Sequence, residues 1–155
     1  MSTTAIPLTA HETFVLERDY PVPPARVYDA FATVEGRRAW FAPSEDGRVY
    51  DYSLDFREGG AEHLEGDHGD QRFTYDAVFQ NLVPDKRIVY SYDMHFDGVK
   101  ISFSMATVEL LPTDDGASTH LKLTEHGAYF ENLDRPTERP EGTESLLDAL
   151  GRSLA

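Results

Sequence analysis

The chain has 155 residues, 40% apolar and 27% charged, the composition of one globular domain able to bury a core unaided. Its 28 acidic and 14 basic side chains give a net charge of −14, which argues against binding nucleic-acid backbone or anionic lipid, where affinity comes from Lys and Arg. It has no cysteine, which removes disulfides, thiolate metal sites, iron–sulfur clusters and thiol nucleophiles.

Residues 1–12 carry neither a basic n-region nor an apolar core. They are expected to form a loosely held tail, not a signal peptide, ahead of a single domain over residues 13–155. The longest apolar run, Ala39–Ala42, is four residues, far short of a membrane span, so a cytoplasmic location is expected.

Thr13–Tyr20 is predicted as a strand with Phe14 and Leu16 on one face, ended by Pro21, Pro23 and Pro24. Pro24 suits the first turn of a helix over Ala25–Thr33, where Val27, Ala30, Phe31 and Val34 recur at helical spacing. Gly36 is expected to interrupt, and a second short helix, Arg37–Phe41, to stop at Pro43. The period then changes to two. Tyr50, Tyr52, Leu54 and Phe56 alternate along 49–57, and a short strand over 61–65 leads into a polar hairpin loop at 66–70. Strands over 72–82 and 87–96 carry Phe73, Tyr75, Ala77, Phe79 and Ile88, Tyr90, Tyr92, Met94, Phe96 on single faces.

Asp97-Gly98 is a two-residue hairpin signal opening the longest strand, 99–111. Its apolar face begins as Ile101, Phe103, Met105 and then switches to Val108 and Leu110, which predicts a bulge near Ala106 or Thr107. A strand over 118–125 follows, then a polar stretch over 127–142. The chain ends in a helix over 143–154 with Leu146, Leu147, Leu150 and Leu154 in one stripe.

One strand, two helices, six hairpin-linked strands and a last helix predict an α+β fold: a curved seven-stranded antiparallel sheet around the C-terminal helix. A sheet that long must curl, and one helix fills its concave face incompletely. A cavity is therefore expected, lined by Phe73, Tyr75, Phe79, Tyr90, Tyr92, Met94, Phe103, Met105 and Leu147, with tyrosine hydroxyls as its few polar points. Trp40 and Phe41 either cap its entrance or pin the helices to the sheet.

Glu125 shares parity with Leu121 and Leu123, so it should point inward near the cavity mouth. A carboxylate there would have a raised pKa and could act as a general base; otherwise it is a rim residue, solvated or paired with an arginine. His126 has outward parity. His63, Asp67, His68 and Asp70 lie within eight residues, but their spacing matches no metal pattern and the segment reads as a solvated turn. Asp93 and His95 share a polar outer face. Ser91, Ser102 and Ser104 sit in no Gly-x-Ser-x-Gly elbow, and no glycine-rich phosphate loop opens a helix, so no cofactor is called for.

Several segments, taken in order, resemble the START-like SRPBCC superfamily. These are Pro23-Pro24-Ala25-Arg26-Val27-Tyr28-Asp29-Ala30-Phe31, Arg37-Arg38-Ala39-Trp40-Phe41-Ala42-Pro43, Asp55-Phe56-Arg57-Glu58-Gly59-Gly60, Val83-Pro84-Asp85-Lys86-Arg87-Ile88 and Leu121-Lys122-Leu123-Thr124-Glu125-His126-Gly127. The similarity is greatest to the branch named for the activator of the 90-kDa heat-shock protein ATPase, and it covers 14 to about 154. Relatives often open the last helix with Gly-Trp, where this chain has Gly142-Thr143-Glu144. The resemblance implies a helix-grip fold shared with the birch-pollen allergen, whose members hold hydrophobic ligands and of which a minority are cyclases or hydrolases.

The expected function is therefore binding of a small lipid-like or aromatic molecule, without cofactor, nucleic acid or membrane. A cyclase or hydrolase using Glu125 and tyrosines in the same cavity is the alternative. A chaperone-partner role is also implied, but the activators carry an additional N-terminal domain for which 155 residues leave no room. The oligomeric state is left open, a homodimer included.

Overall fold

A computed structural model of the chain describes residues 9–42, 48–130 and 138–155. Strand β1 (Ala10–Tyr20) is followed by helices α1 (Pro24–Ala32) and α2 (Val34–Arg38), then by β2 (Val49–Leu54), β3 (Ala61–His68), β4 (Gln71–Val83), β5 (Arg87–Phe96), β6 (Val99–Thr113) and β7 (Ser118–Tyr129), and last by α3 (Glu138–Leu154). All seven strands form one antiparallel sheet in the order β1-β7-β6-β5-β4-β3-β2. The first strand thus closes beside the last, and the helices pack on the inner face.

Local chemistry explains the elements. Asp97 and Gly98 both adopt positive φ (49° and 82°), the geometry of a tight turn whose twist matches the strands it joins. Pro24 occupies the first turn of α1, where its missing N–H costs nothing. Thr33 caps α2 by accepting a 3.0 Å hydrogen bond from the Gly36 N–H. Gly36, expected from sequence to interrupt the helices, instead lies inside α2, and the break falls at Thr33. A Cβ there would stand 2.7 Å from the Asp29 carbonyl oxygen, so the glycine permits the close approach of α2 to α1.

Several expected boundaries move: α2 spans Val34–Arg38 and not Arg37–Phe41, β3 runs on to His68 through most of the expected 66–70 loop, and β7 extends to Tyr129. β1 starts at Ala10, so residues 10–12, expected in the tail, pair with β7 (Ala10 opposite Tyr129). α3 starts at Glu138 and not at 143, with Pro140 tolerated in its first turn.

The largest correction concerns β6. Met94 pairs with Ser102 and His95 with Lys100, so Ile101 is the extra residue of a bulge. Ile101 and Ser102 are both buried. The parity switch therefore occurs at Ile101, well before Ala106, and every residue beyond it reverses face. Ser102, Ser104, Ala106, Val108 and Leu110 point inward, while Phe103 (48% exposed) and Met105 (42%) stand on the outer face and line no cavity.

The inner face carries two apolar clusters. In the larger, Leu147, Leu150 and Leu154 of α3 pack with Val27, Phe31, Trp40, Phe79, Val108 and Leu121. The Tyr20 hydroxyl donates to the Leu147 carbonyl at 2.7 Å, tying α3 to the edge strand. In the smaller, Tyr52, Leu64, Tyr75, Ala77 and Tyr92 are flanked by Phe41, Phe73, Tyr90 and Met94.

Candidate functional site

Alternation along β7 turns Leu121, Leu123 and Glu125 inward, and Glu125 is 2% exposed. Tyr92, inward from β5, donates a 2.8 Å hydrogen bond to Glu125 Oε2. Arg139, in the first turn of α3, donates through Nη1 to the Tyr92 hydroxyl at 3.0 Å and through Nη2 to Ser102 Oγ at 2.9 Å. Its Nη1 also lies 3.9 Å from Glu125 Oε2. The guanidinium stands 5.2 Å from the Tyr129 ring centroid and 5.7 Å from that of Tyr92. The β6 bulge makes this cluster possible, because it turns Ser102 and Ser104 toward α3.

Burial raises the Glu125 carboxyl to about 7, against the partial opposition of the Tyr92 hydrogen bond and the Arg139 charge. The same desolvation, with Glu125 adding to it, holds the Tyr92 phenol well above its usual range. Glu125 thus titrates near neutrality beside a phenol that stays protonated.

A second buried ion pair lies toward the β2 edge. Arg37 of α2 (3% exposed) grips Glu62 of β3 (1%) through Nε and Nη2 at 2.7 and 2.6 Å. The Tyr52 hydroxyl donates to the same carboxylate at 2.5 Å. Burial opposes the guanidinium charge, yet adjacent Glu62 more than offsets this and raises Arg37 above its usual range. Phe41, Trp40 and Phe31 surround Arg37, with ring centroids 3.9, 4.9 and 5.5 Å from the guanidinium carbon.

Aromatic rings bridge the two pairs. Phe41 meets Tyr75 at 5.0 Å, Tyr75 meets Tyr92 at 4.9 Å and Tyr90 meets Tyr92 at 6.0 Å. Phe73 and Met94 are half-buried at the margin of this group, while Phe79 and Leu147 belong to the α3 cluster. Trp40 is pinned, its indole N–H donating to the Ala30 carbonyl at 3.0 Å. An open cleft of about 240 Å³ at the β5–β6 hairpin is lined by Gln71, Phe96, Asp97, Val99 and Ile101, the last adjoining Ser102 in the chain.

The structure disperses the His63–Asp70 residues. His63 bonds Asp76, Asp67 bonds Tyr50, and His68 stacks on Phe96. His126 is exposed, its ring bonded to Thr13. Among the described residues, Asp76, Asp93 and His95 bring one metal-ligating atom each within 4.8 Å of one another, on the opposite face of the sheet.

Sequence reasoning missed Arg37, Glu62 and Arg139, and weighed Ser102 and Ser104 only as hydrolase nucleophiles. Glu62 was within reach, since it shares parity with inward Leu64. Arg139 was not, because the polar run around it hid the helix start.

The family model for "Activator of Hsp90 ATPase homolog 1-like protein" matches residues 21–155. No functionally curated protein matches the chain. Among solved structures, the Mll3558 protein from Rhizobium loti is 42% identical with a TM-score of 0.86, the match covering 94% of this chain and 99% of that one. An uncharacterized protein from Rhizobium leguminosarum is 35% identical with a TM-score of 0.88, covering 95% and 96%. Ara h 8.0201 shares the fold at 12% identity, with a TM-score of 0.68 over 94% and 95% of the two chains. The seven-stranded grip on α3 and the match over 21–155 together place the chain in the Activator of Hsp90 ATPase homolog 1-like family of the START-like SRPBCC superfamily.

Proposed function

We propose that the chain binds a small, largely apolar molecule between the sheet and α3. Its apolar body lies against Phe41, Phe73, Tyr75, Tyr90 and Met94, and its polar end meets Tyr92, Glu125 and Arg139. The observation that carries this reading is the cluster of Tyr92, Glu125, Arg139, Ser102 and Ser104, a set of polar groups held inside an aromatic wall. Small-molecule sites have this composition: mostly apolar lining with a few convergent polar atoms. Native mass spectrometry of the freshly purified chain and titration with the hydrophobic probe ANS test it. ANS should bind and raise the melting temperature by mass action, and Tyr92→Ala should weaken it. Equal ANS affinity in Tyr92→Ala would remove the site from the reading.

A second reading, a cyclase or hydrolase in the same place, is favoured by one observation. Glu125 titrates at about 7 with the Tyr92 hydroxyl on its oxygen, the pairing of a neutral-pH base with a proton donor. Glu125→Gln separates the two. Binding retained, with no turnover in either the unaltered chain or the variant, supports a binding protein; binding retained with a measured turnover abolished supports an enzyme.

A further inference from the structure

On the outer face of the sheet, Asp76 of β4 stands directly opposite Asp93 of β5, and His95 follows on the same face of β5. Like charges facing each other across an antiparallel pair are unfavourable unless other groups compensate them. Each carboxylate has one outer partner. The His63 ring nitrogen Nδ1 lies 2.6 Å from Asp76 Oδ1, and Lys100 Nζ lies 3.3 Å from Asp93 Oδ2.

The remaining ligand atoms come close together. Asp93 Oδ1 and His95 Nδ1 are shielded from water and have no hydrogen-bond partner among the described residues. They lie 3.7 Å apart, too far for a hydrogen bond. An unmatched buried acceptor is costly, and such groups call for an explanation. Metal bonds of about 2.0–2.2 Å set neighbouring ligands about 3–3.5 Å apart, so small side-chain rotations would bring these atoms and an Asp76 oxygen onto one ion.

We propose that Asp76, Asp93 and His95 form a divalent-metal site on the outer face of the sheet, independent of the interior ligand site. Two carboxylates and one imidazole select a first-row dication such as Zn²⁺, Co²⁺ or Mn²⁺ over Ca²⁺ or Mg²⁺, which prefer all-oxygen shells. Half-exposed Asp76 leaves room for water on the remaining positions. His63 holds the Asp76 carboxylate and Lys100 holds that of Asp93, the outer-shell supports that orient metal ligands.

The test titrates the full chain with ZnCl₂ by calorimetry and with CoCl₂ by visible absorption. One ion per chain is expected, with Asp93→Asn and His95→Gln abolishing measurable binding and His63→Gln weakening it about tenfold. His120→Gln is the control, since His120 is engaged by Glu17 and Asp19 at 2.8 Å on the β1 edge. On the unaltered chain, Mn²⁺ should broaden the His95 ring resonances before those of the other histidines, which decides the matter even if a variant misfolds. No Zn²⁺ binding at millimolar concentration, unchanged affinity in Asp93→Asn, or broadening that spares His95 would overturn the proposal and leave a plain His95–Asp93 ion pair.

Discussion

Arg37 holds Glu62 with two hydrogen bonds of 2.7 and 2.6 Å while both side chains are withdrawn from water. This pair joins α2 to β3, the strand next to the β2 edge of the sheet. Removing one partner strands the other charge in the interior. Arg37→Ala should destabilise the chain by about 3–5 kcal/mol in denaturant melts. Arg37→Met with Glu62→Leu, made in a Tyr52→Phe background so that no phenol is orphaned, should recover most of that loss. Similar stability in the single and combined variants would mean that the charge imbalance is not the cause.

Glu125 makes stability pH-dependent in a definite direction. Its folded pKa, about 7, lies above the ordinary glutamate value of 4.5, so the folded state holds the proton more tightly. Its contribution is fully present below about pH 4.5 and is lost as pH rises through 7, on the order of 3 kcal/mol over that window. His63 and His120, both raised by hydrogen bonds to carboxylates, also lose stabilisation as pH rises. The difference between the chain and Glu125→Gln therefore isolates Glu125. Glu125→Gln should gain stability relative to the unaltered chain between pH 5 and 8; a constant difference across that range would contradict the assignment.

Leu150 is fully buried on α3, in the cluster that includes Val27, Phe31 and Leu121. Leu150→Ala should cost about 2–5 kcal/mol, the transfer loss plus the cavity left behind. Urea melts monitored by circular dichroism measure this, and a change under about half a kcal/mol would mean α3 does not depend on that contact.

The strands were legible because their inner positions alternate cleanly. β5 occupies the expected 87–96, and Glu125 is buried as its parity with Leu121 and Leu123 predicts. The α3 stripe likewise announced Leu147 and Leu150. β6 was harder because both of its faces are apolar: Ile101, Phe103, Met105 on one parity, Ala106, Val108, Leu110 on the other. Hydrophobic pattern alone cannot locate a one-residue insertion between two such sets. The ion pairs were hidden for a different reason. Arg37 and Arg139 are brought to Glu62 and Glu125 by helices, over separations of 25 residues for the first pair and across the end of β7 for the second. No local period encodes either contact.

The β6 bulge yields the sharpest difference between sequence expectation and structure. With Ile101 as the extra residue, Phe103 and Met105 face outward and Ser102 and Ser104 face Arg139. Phe103→Ser and Met105→Ser should each change stability by less than about 0.5 kcal/mol, as exposed substitutions do, and leave ANS affinity unaltered. Ser104→Leu tests the inner face. It inserts a branched side chain beside Arg139 Nη1 and Tyr92, removes a hydroxyl partner and crowds the buried polar cluster, which should cost about 1–3 kcal/mol and weaken ANS binding. If instead Phe103→Ser and Met105→Ser destabilise strongly and Ser104→Leu is neutral, the parity is reversed. The bulge would then lie further along β6, at Ala106 or beyond, and the Arg139–Ser102 contact would have to be abandoned with it.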